Sequence, residues 1–144
     1  MADDRFVGAW ELVNVEIRDG QGNVIPDRKS PLEIGQIQYT ADGRMSAHLM
    51  WRDRPKATPE SWPSASDDER LKAAASYVAY FGTYTIDNTT NVVTHHVIGG
   101  LLPHMTGSDQ PRAFQFSGEN LTLSPSNTPG PEYTFLKWQR VRGS

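Results

Sequence analysis

The chain has 144 residues, 17 acidic against 14 basic, a pI near 5.7 and no cysteine. This length makes one domain that can bury roughly 70% of its unfolded surface. The missing cysteine excludes disulfides, thiolate metal sites and cysteine nucleophiles, and the acidic balance lacks the basic excess that a nucleic-acid binder needs.

The N-terminal Met1-Ala2-Asp3-Asp4-Arg5-Phe6 is charged and leads into no apolar export or membrane-spanning run, so a soluble cytoplasmic protein without a membrane partner is expected. Residues 1–142 read as one domain, and Gly143-Ser144 is set apart as a cloning remnant.

In chain order, Phe6 to Arg18 is a β-forming run that begins Gly8-x-Trp10, with Gly8 allowing a bend and Trp10 supplying a ring large enough to plug a barrel end. Asp19 to Asn23 suits a hairpin turn. Ile34 to Thr40 reads as a strand with alternation from Gln36 to Tyr39, Ala41-Asp42-Gly43 turns it, and Arg44 to Trp51 should lie antiparallel beside it. Prolines 55, 59 and 63 make Arg52 to Ser66 a loop. Ser66-Asp67-Asp68-Glu69 fits a capping box, and the spacing of Leu71, Ala74, Ala75 and Val78 predicts a helix to about Phe81, ended by Gly82 in a left-handed conformation. That helix would lie across the barrel mouth or against its wall and present Tyr77, Tyr80 and Phe81 to what lies beneath.

Strands resume over Thr83 to Ile86 and Val92 to Ile98, with Gly99-Gly100 as a bulge or break. Arg112 to Phe116 and Leu121 to Leu123 form a hairpin, and after a loop from Ser124 to Pro131 the closing strand runs Tyr133 to Val141. The fold class is therefore all-β: a single antiparallel up-and-down barrel of about eight strands, with one helix inserted mid-chain near the mouth. Closing it requires the first and last strands to pair.

The ordered segments Gly8-x-Trp10-x-Leu12-Val13, Tyr39-Thr40-x-Asp42-Gly43-x-Met45-Ser46, Tyr77-Val78-Ala79-Tyr80-x-Gly82-x-Tyr84, Val93-Thr94-His95-His96-Val97 and Leu121-x-Leu123 before Trp138-x-Arg140-Val141 together resemble the lipocalin-like domain family of bacteria and fungi. The likeness covers nearly the whole chain. The Gly-x-Trp start with an arginine on the last strand is also similar to the wider calycin pattern, which implies that Arg140 packs across Trp10 at the closed end. The resemblance implies a cavity for an apolar small molecule, with some members linked to secondary metabolism, and brings no set of catalytic residues. The chain departs from secreted lipocalins in having no signal peptide, no disulfide pair and a mid-chain helix.

Candidate site residues follow from strand parity. If Trp10 faces inward, Asn14 and Glu16 do too, unless a bulge near Leu12 turns Val13, Val15 and Ile17 inward instead. An inward Glu16 would have a raised pKa and serve as a general base; an outward one is a solvated charge. His95 and His96 are adjacent, so one faces in and one out, and alternation alone does not choose between them. The inward one is a hydrogen-bonded wall residue or an acid, base or anchoring donor.

His48, Tyr84, Arg112 and Gln115 are further polar groups that could reach inward from other strands. Arg112 shares a face with Phe114 and Phe116, where a charge either snorkels to water or finds a carboxylate, carbonyl or anionic ligand. Tyr39, Trp51 and Tyr77 complete the candidate lining, with Trp62, Met50, Met105 and His104 at the rim or in a homodimer contact. No ligand spacing predicts a metal site and no cofactor motif occurs.

Three readings stand. The barrel binds a hydrophobic small molecule; or it is a cofactor-independent isomerase or cyclase using His95 or His96 with His48 or Glu16; or it is a structural or interaction barrel with a filled interior.

Overall fold

The computed structural model describes residues 4–54, 62–126 and 131–144, and among them eight antiparallel strands close into a barrel in sequence order. The strands are β1 (Gly8–Asp19), β2 (Leu32–Tyr39), β3 (Arg44–Trp51), β4 (Tyr77–Asp87), β5 (Val92–Gly100), β6 (Asp109–Ser117), β7 (Asn120–Pro125) and β8 (Glu132–Arg140). Among the described residues a single α-helix, α1 (Asp67–Ala75), lies between β3 and β4. The proline-bearing loops expected over 52–66 and 124–131 fall partly outside the described residues; of the first, Trp62–Ser64 forms a 3-10 turn. No helix among the described residues is long and apolar enough to cross a membrane.

Barrel closure rests on β1, which pairs with β2 from Gly8 opposite Tyr39 to Glu11 opposite Gln36, and with β8 from Trp10 opposite Arg140 to Asp19 opposite Glu132. The β8 register slips by one residue between Leu12 and Asn14, which makes Val13 the extra residue of a bulge and leaves it half exposed. Trp10 and Leu12 point inward before the slip, and Val15 and Ile17, opposite Leu136 and Thr134, point inward after it.

The closed end is an aromatic plug. Trp10 is fully buried, and its indole N–H donates to the Phe6 carbonyl at 2.9 Å. The Arg140 guanidinium lies 4.2 Å from the Trp10 ring centroid and donates to the carbonyls of Val7 at 2.7 Å and Arg5 at 2.6 Å. The expected Trp10–Arg140 pair is therefore present. Phe6, equally buried, packs edge-on against Tyr39, Phe114 and Phe116 with centroids 4.8 to 5.2 Å apart. Gly8 enters this end at φ +130°, and a Cβ there would lie 2.9 Å from an Arg140 guanidinium nitrogen.

The helix is shorter than its apolar spacing predicts. Its capping box is present: the Glu69 amide donates to Ser66 Oγ at 3.2 Å and the Ser66 amide to Glu69 Oε1 at 3.0 Å. The helix ends at Ala75, and Tyr77 to Phe81 belong to β4, with Gly82 inside the strand rather than at a helix terminus. The physical reason is that inward Val78, Tyr80, Gly82 and Tyr84 alternate at period two between β3 and β5, and burying them outweighs the helical preference of the alanines before them. Leu71 is left exposed.

Gly82 sits beside a second register slip, between Phe81 and Gly82 opposite β5, and a Cβ there would come within 1.9 Å of the His96 carbonyl oxygen. Because backbone cannot yield as a side chain does, Gly82→Ala should destabilise the barrel by about 3 kcal/mol in urea unfolding. Arg140→Lys keeps the charge but loses the planar fork and the stacked face, and should cost about 1–3 kcal/mol by the same measurement.

Candidate functional site

Burial along the inner face divides the barrel in two. Towards the plug, inward residues such as Phe6, Trp10, Ile37, Tyr39, Met45, Leu121 and Trp138 are at most 3% exposed. Towards the other end, inward Val15, Ile17, Leu32, Trp51, Val78, Arg112, Thr134 and Leu136 are only half buried. Side chains that point into a barrel yet keep contact with solvent line a cup. Its wall is mostly apolar, and the polar groups sit towards its floor.

At that floor His95 is 1% exposed and held between two phenols: Tyr39 Oη lies 2.7 Å from Nε2 and Tyr80 Oη lies 2.7 Å from Nδ1. Burial, reinforced by the nearby Arg112 charge, pushes the imidazole pKa down to about 3, so it is neutral at any ordinary pH. Burial likewise raises the pKa of both tyrosines, strongly for Tyr39. The motif is thus a neutral phenol–imidazole–phenol chain. Beside it, Arg112 donates to the Pro111 carbonyl at 2.9 Å and to Gln110 Oε1 at 3.2 Å, and Gln110 donates to Ser108 Oγ at 2.9 Å.

Of the predicted lining residues, Tyr39, Tyr84, Arg112 and Phe114 face inward, and Trp51 lies on the inner face of β3 at its open end. Tyr84 donates to the Thr40 carbonyl at 2.8 Å and packs against Tyr39, so it belongs to the floor.

Tyr77 and Gln115 are corrected, and of the alternatives the sequence leaves open for Asn14, Glu16 and His96 the outward one holds. Asn14 and Glu16 face outward because the Val13 bulge reverses the parity of β1 after Leu12. Glu16 accepts from Arg18 at 2.7 Å and pairs with Lys137 at 3.3 Å; these cations lower its pKa against the weaker opposing effect of burial, where an inward carboxyl would have been raised. Tyr77 is on the outer face of β4, where it accompanies His48, 3.0 Å from Nδ1 to Oη, beneath the Arg54 guanidinium. Gln115 is exposed on the outer face of β6. His96 faces out against Asp109, 2.7 Å away, and Thr85, 2.9 Å away.

The four candidate acid–base residues therefore do not meet. Only His95 is inside. Among the described residues no three His, Asp or Glu side chains gather as a metal site.

Sequence reasoning missed Tyr80, because it was read as helical, and Gln110, because it was read as loop. It also missed an opening in the wall. Beyond Glu11 and Gln36 strands β1 and β2 no longer pair, and between them lies a pocket of about 360 Å3 lined by Val13, Asn14, Val15, Ser30, Leu32 and the rim charges Lys29, Glu33 and Arg52. Val15 and Leu32, which also pack on the core, belong to both pocket and barrel interior. The signal for Tyr80 was the period-two run Val78, Tyr80, Gly82, Tyr84; the opening has no sequence signal beyond the prolines at 26 and 31.

The depressed His95 pKa has a consequence for stability. Between its folded value of about 3 and its ordinary value of 6.5, the unfolded chain binds a proton that the folded chain does not. The contribution is complete above pH 6.5 and is lost as pH falls, at up to about 1.4 kcal/mol per pH unit. His95→Gln should flatten the pH dependence of urea stability between about pH 6.5 and 5, above the main carboxylate titration. An unchanged slope would show that the imidazole is protonated in the fold.

Residues 7–141 match the model of the lipocalin-like domain family. The chain is 31% identical over 107 residues to the 4'-hydroxy-3'-methoxypropiophenone carrier protein of Aspergillus oryzae, an alignment covering 67% of this chain and 96% of the relative. Among solved structures it is similar to a lipocalin-like protein from Bacteroides uniformis, with a TM-score of 0.48 and 11% identity over 95% of this chain and 99% of the other. It is also similar to As-p18, described as an extracellular fatty acid binding protein, with a TM-score of 0.45 and 13% identity over 96% and 97%. With a family match spanning the barrel from before Gly8 to the residue after Arg140, the chain belongs to the lipocalin-like domain family.

Proposed function

We propose that this protein binds and carries an apolar small molecule inside its barrel. The observation that carries the reading is the half-exposed inner wall of the open end. Val15, Leu32, Val78 and Leu136 point into the barrel without being sealed there, and an apolar ligand would remove them from water at about 25 cal/mol per Å2 of surface covered. The plug and the phenol–imidazole–phenol chain form a rigid floor beneath, and the pocket between β1 and β2 supplies a side entrance.

The likeness to a protein named as a carrier of a substituted propiophenone supports an aromatic, secondary-metabolite type of ligand. Carriage rather than catalysis is favoured by what surrounds His95. An imidazole with a pKa near 3 is a weak base, its two nitrogens are already engaged, and His48, His96 and Glu16 lie outside the wall.

Titration with the neutral fluorophore N-phenyl-1-naphthylamine tests the reading. Saturable, one-to-one enhancement is expected, and Val15→Trp, which fills the cup beside the entrance, should weaken it about tenfold or more while leaving the near-UV signature of the plug intact. Absence of saturable binding, or equal binding by the Val15→Trp variant, would sink a lumenal site.

A further inference from the structure

Four arginines of the outer wall and plug find carboxylates: Arg18 meets Glu16, Arg28 meets Glu132, Arg52 meets Glu33 and Arg140 meets Glu119. Arg112 does not. It is half buried on the inner face of β6, in line with Phe114, and among the described residues it has no ion-pair partner, only the Pro111 carbonyl and the Gln110 amide oxygen. It stands close enough to Tyr39, Tyr80 and His95 for its charge to act on all three. A half-buried guanidinium facing the lumen thus has neutral acceptors and, among the described residues, no counter-charge.

The hydrogen-bond directions at the floor add a second donor. Tyr39 is enclosed by the rings of Phe6 and Tyr84, and its hydroxyl has no partner among the described residues except His95 Nε2. Its proton must go there, since a phenol accepting from Nε2 would bury its own O–H unpaired. The neutral imidazole then carries its proton on Nδ1 and donates it to Tyr80 Oη. Tyr80 is an acceptor in this chain, and its own O–H is left with no acceptor among the described residues. That proton and the Arg112 guanidinium are two donors at the floor of the cup, and among the described residues no carboxylate is paired with either.

We propose that the ligand carries an ionised oxygen group, a carboxylate or phenolate, which docks between the Arg112 guanidinium and the Tyr80 hydroxyl while its apolar body lies along the half-exposed wall. This rests on the lumenal binding reading and adds the chemistry of the ligand's head. His95 and Tyr39 act as positioning residues: they fix the direction of the Tyr80 proton and hold the floor neutral, so that Arg112 is the dominant charge the ligand meets.

The test uses cis-parinaric acid and its methyl ester, which share a fluorescent apolar body and differ at the head, an ionised carboxylate against a neutral ester. The wild-type protein should bind the acid about tenfold or more tightly than the ester. Arg112→Gln should bring the ratio of acid to ester affinity close to one. Tyr80→Phe removes one of the two donors and should lower the ratio of acid to ester affinity several-fold. Equal wild-type affinity for acid and ester, or a preference that survives both substitutions, overturns the anionic head while leaving lumenal binding intact. Failure of both probes to bind overturns the two together. Should Arg112→Gln lose its near-UV signal, the wild-type acid-to-ester ratio and the Tyr80→Phe variant decide the question without it.

Discussion

The whole structure depends on one strand serving two partners. For the sheet to close, β1 must present a ladder to β2 on one side and to β8 on the other, and the Val13 bulge interrupts the β8 ladder just beyond the end of the β2 ladder. Along β8 the pairing continues to Asp19, so the far half of β1 stays in the wall. Along β2 it stops at Glu11, so the wall opens beside Val13 and Val15. One inserted residue thus does three things. It keeps Trp10 and Leu12 in the core, turns Val15 and Ile17 inward above them, and moves Glu16 outside to meet Arg18 and Lys137. Had the strand stayed regular, a carboxylate would face the lumen and an apolar face would lie in water, and the desolvation cost makes that alternative the worse one.

Much of the barrel was legible because its local signals agree with its global shape. Asp42-Gly43 turns where two alternating runs meet, the Ser66–Glu69 box starts a helix, and Gly8, Trp10 and Arg140 assemble as the family resemblance implies. What was not legible depends on two-body facts that one strand cannot hold. Bulges at Val13 and near Gly82 are agreements between neighbouring strands, so parity beyond them could not be read from either sequence alone. The Ala73-Ala74-Ala75 run favours helix up to the point where Tyr77 to Tyr84 can pair on both sides, and pairing wins only once β3 and β5 are in place. His95 and His96 both stand among β-branched neighbours in the chain; what separates them is across the sheet, where Tyr84 and Gln110 flank His95 while Asp109 and Thr85 hold His96.

Charge follows the same inside-outside rule with one exception. Outer-wall cations and anions pair at the surface, where each pair contributes little and water compensates for imperfect geometry. Inside, the imidazole and the phenols remain neutral because burial penalises their charged forms. Arg112 cannot take that route, since a guanidinium does not lose its proton at any accessible pH. It must instead be compensated by its surroundings. Carbonyl and amide oxygens at 2.9 and 3.2 Å satisfy some of its five N–H donors but none of its net charge. An inner arginine is therefore the position where the fold accepts a cost that a ligand would relieve.

The two ends of the barrel divide the labour between stability and recognition. The plug concentrates burial, with rings packed edge-on about Phe6 and a guanidinium laid over Trp10. The open half forgoes burial, leaving apolar wall in contact with water and Arg112 without a counter-charge among the described residues. Because stability is a small difference between large terms, a cup of this kind persists only if another part of the fold holds the strands together without it. The floor is where the two requirements meet. Tyr39 belongs to the plug by its ring and to the cup by its hydroxyl, through the bond to His95 and on to Tyr80. A substitution below that bond should act mainly on folding and one above it mainly on affinity, while the His95 imidazole, bonded to both, cannot be changed without touching each.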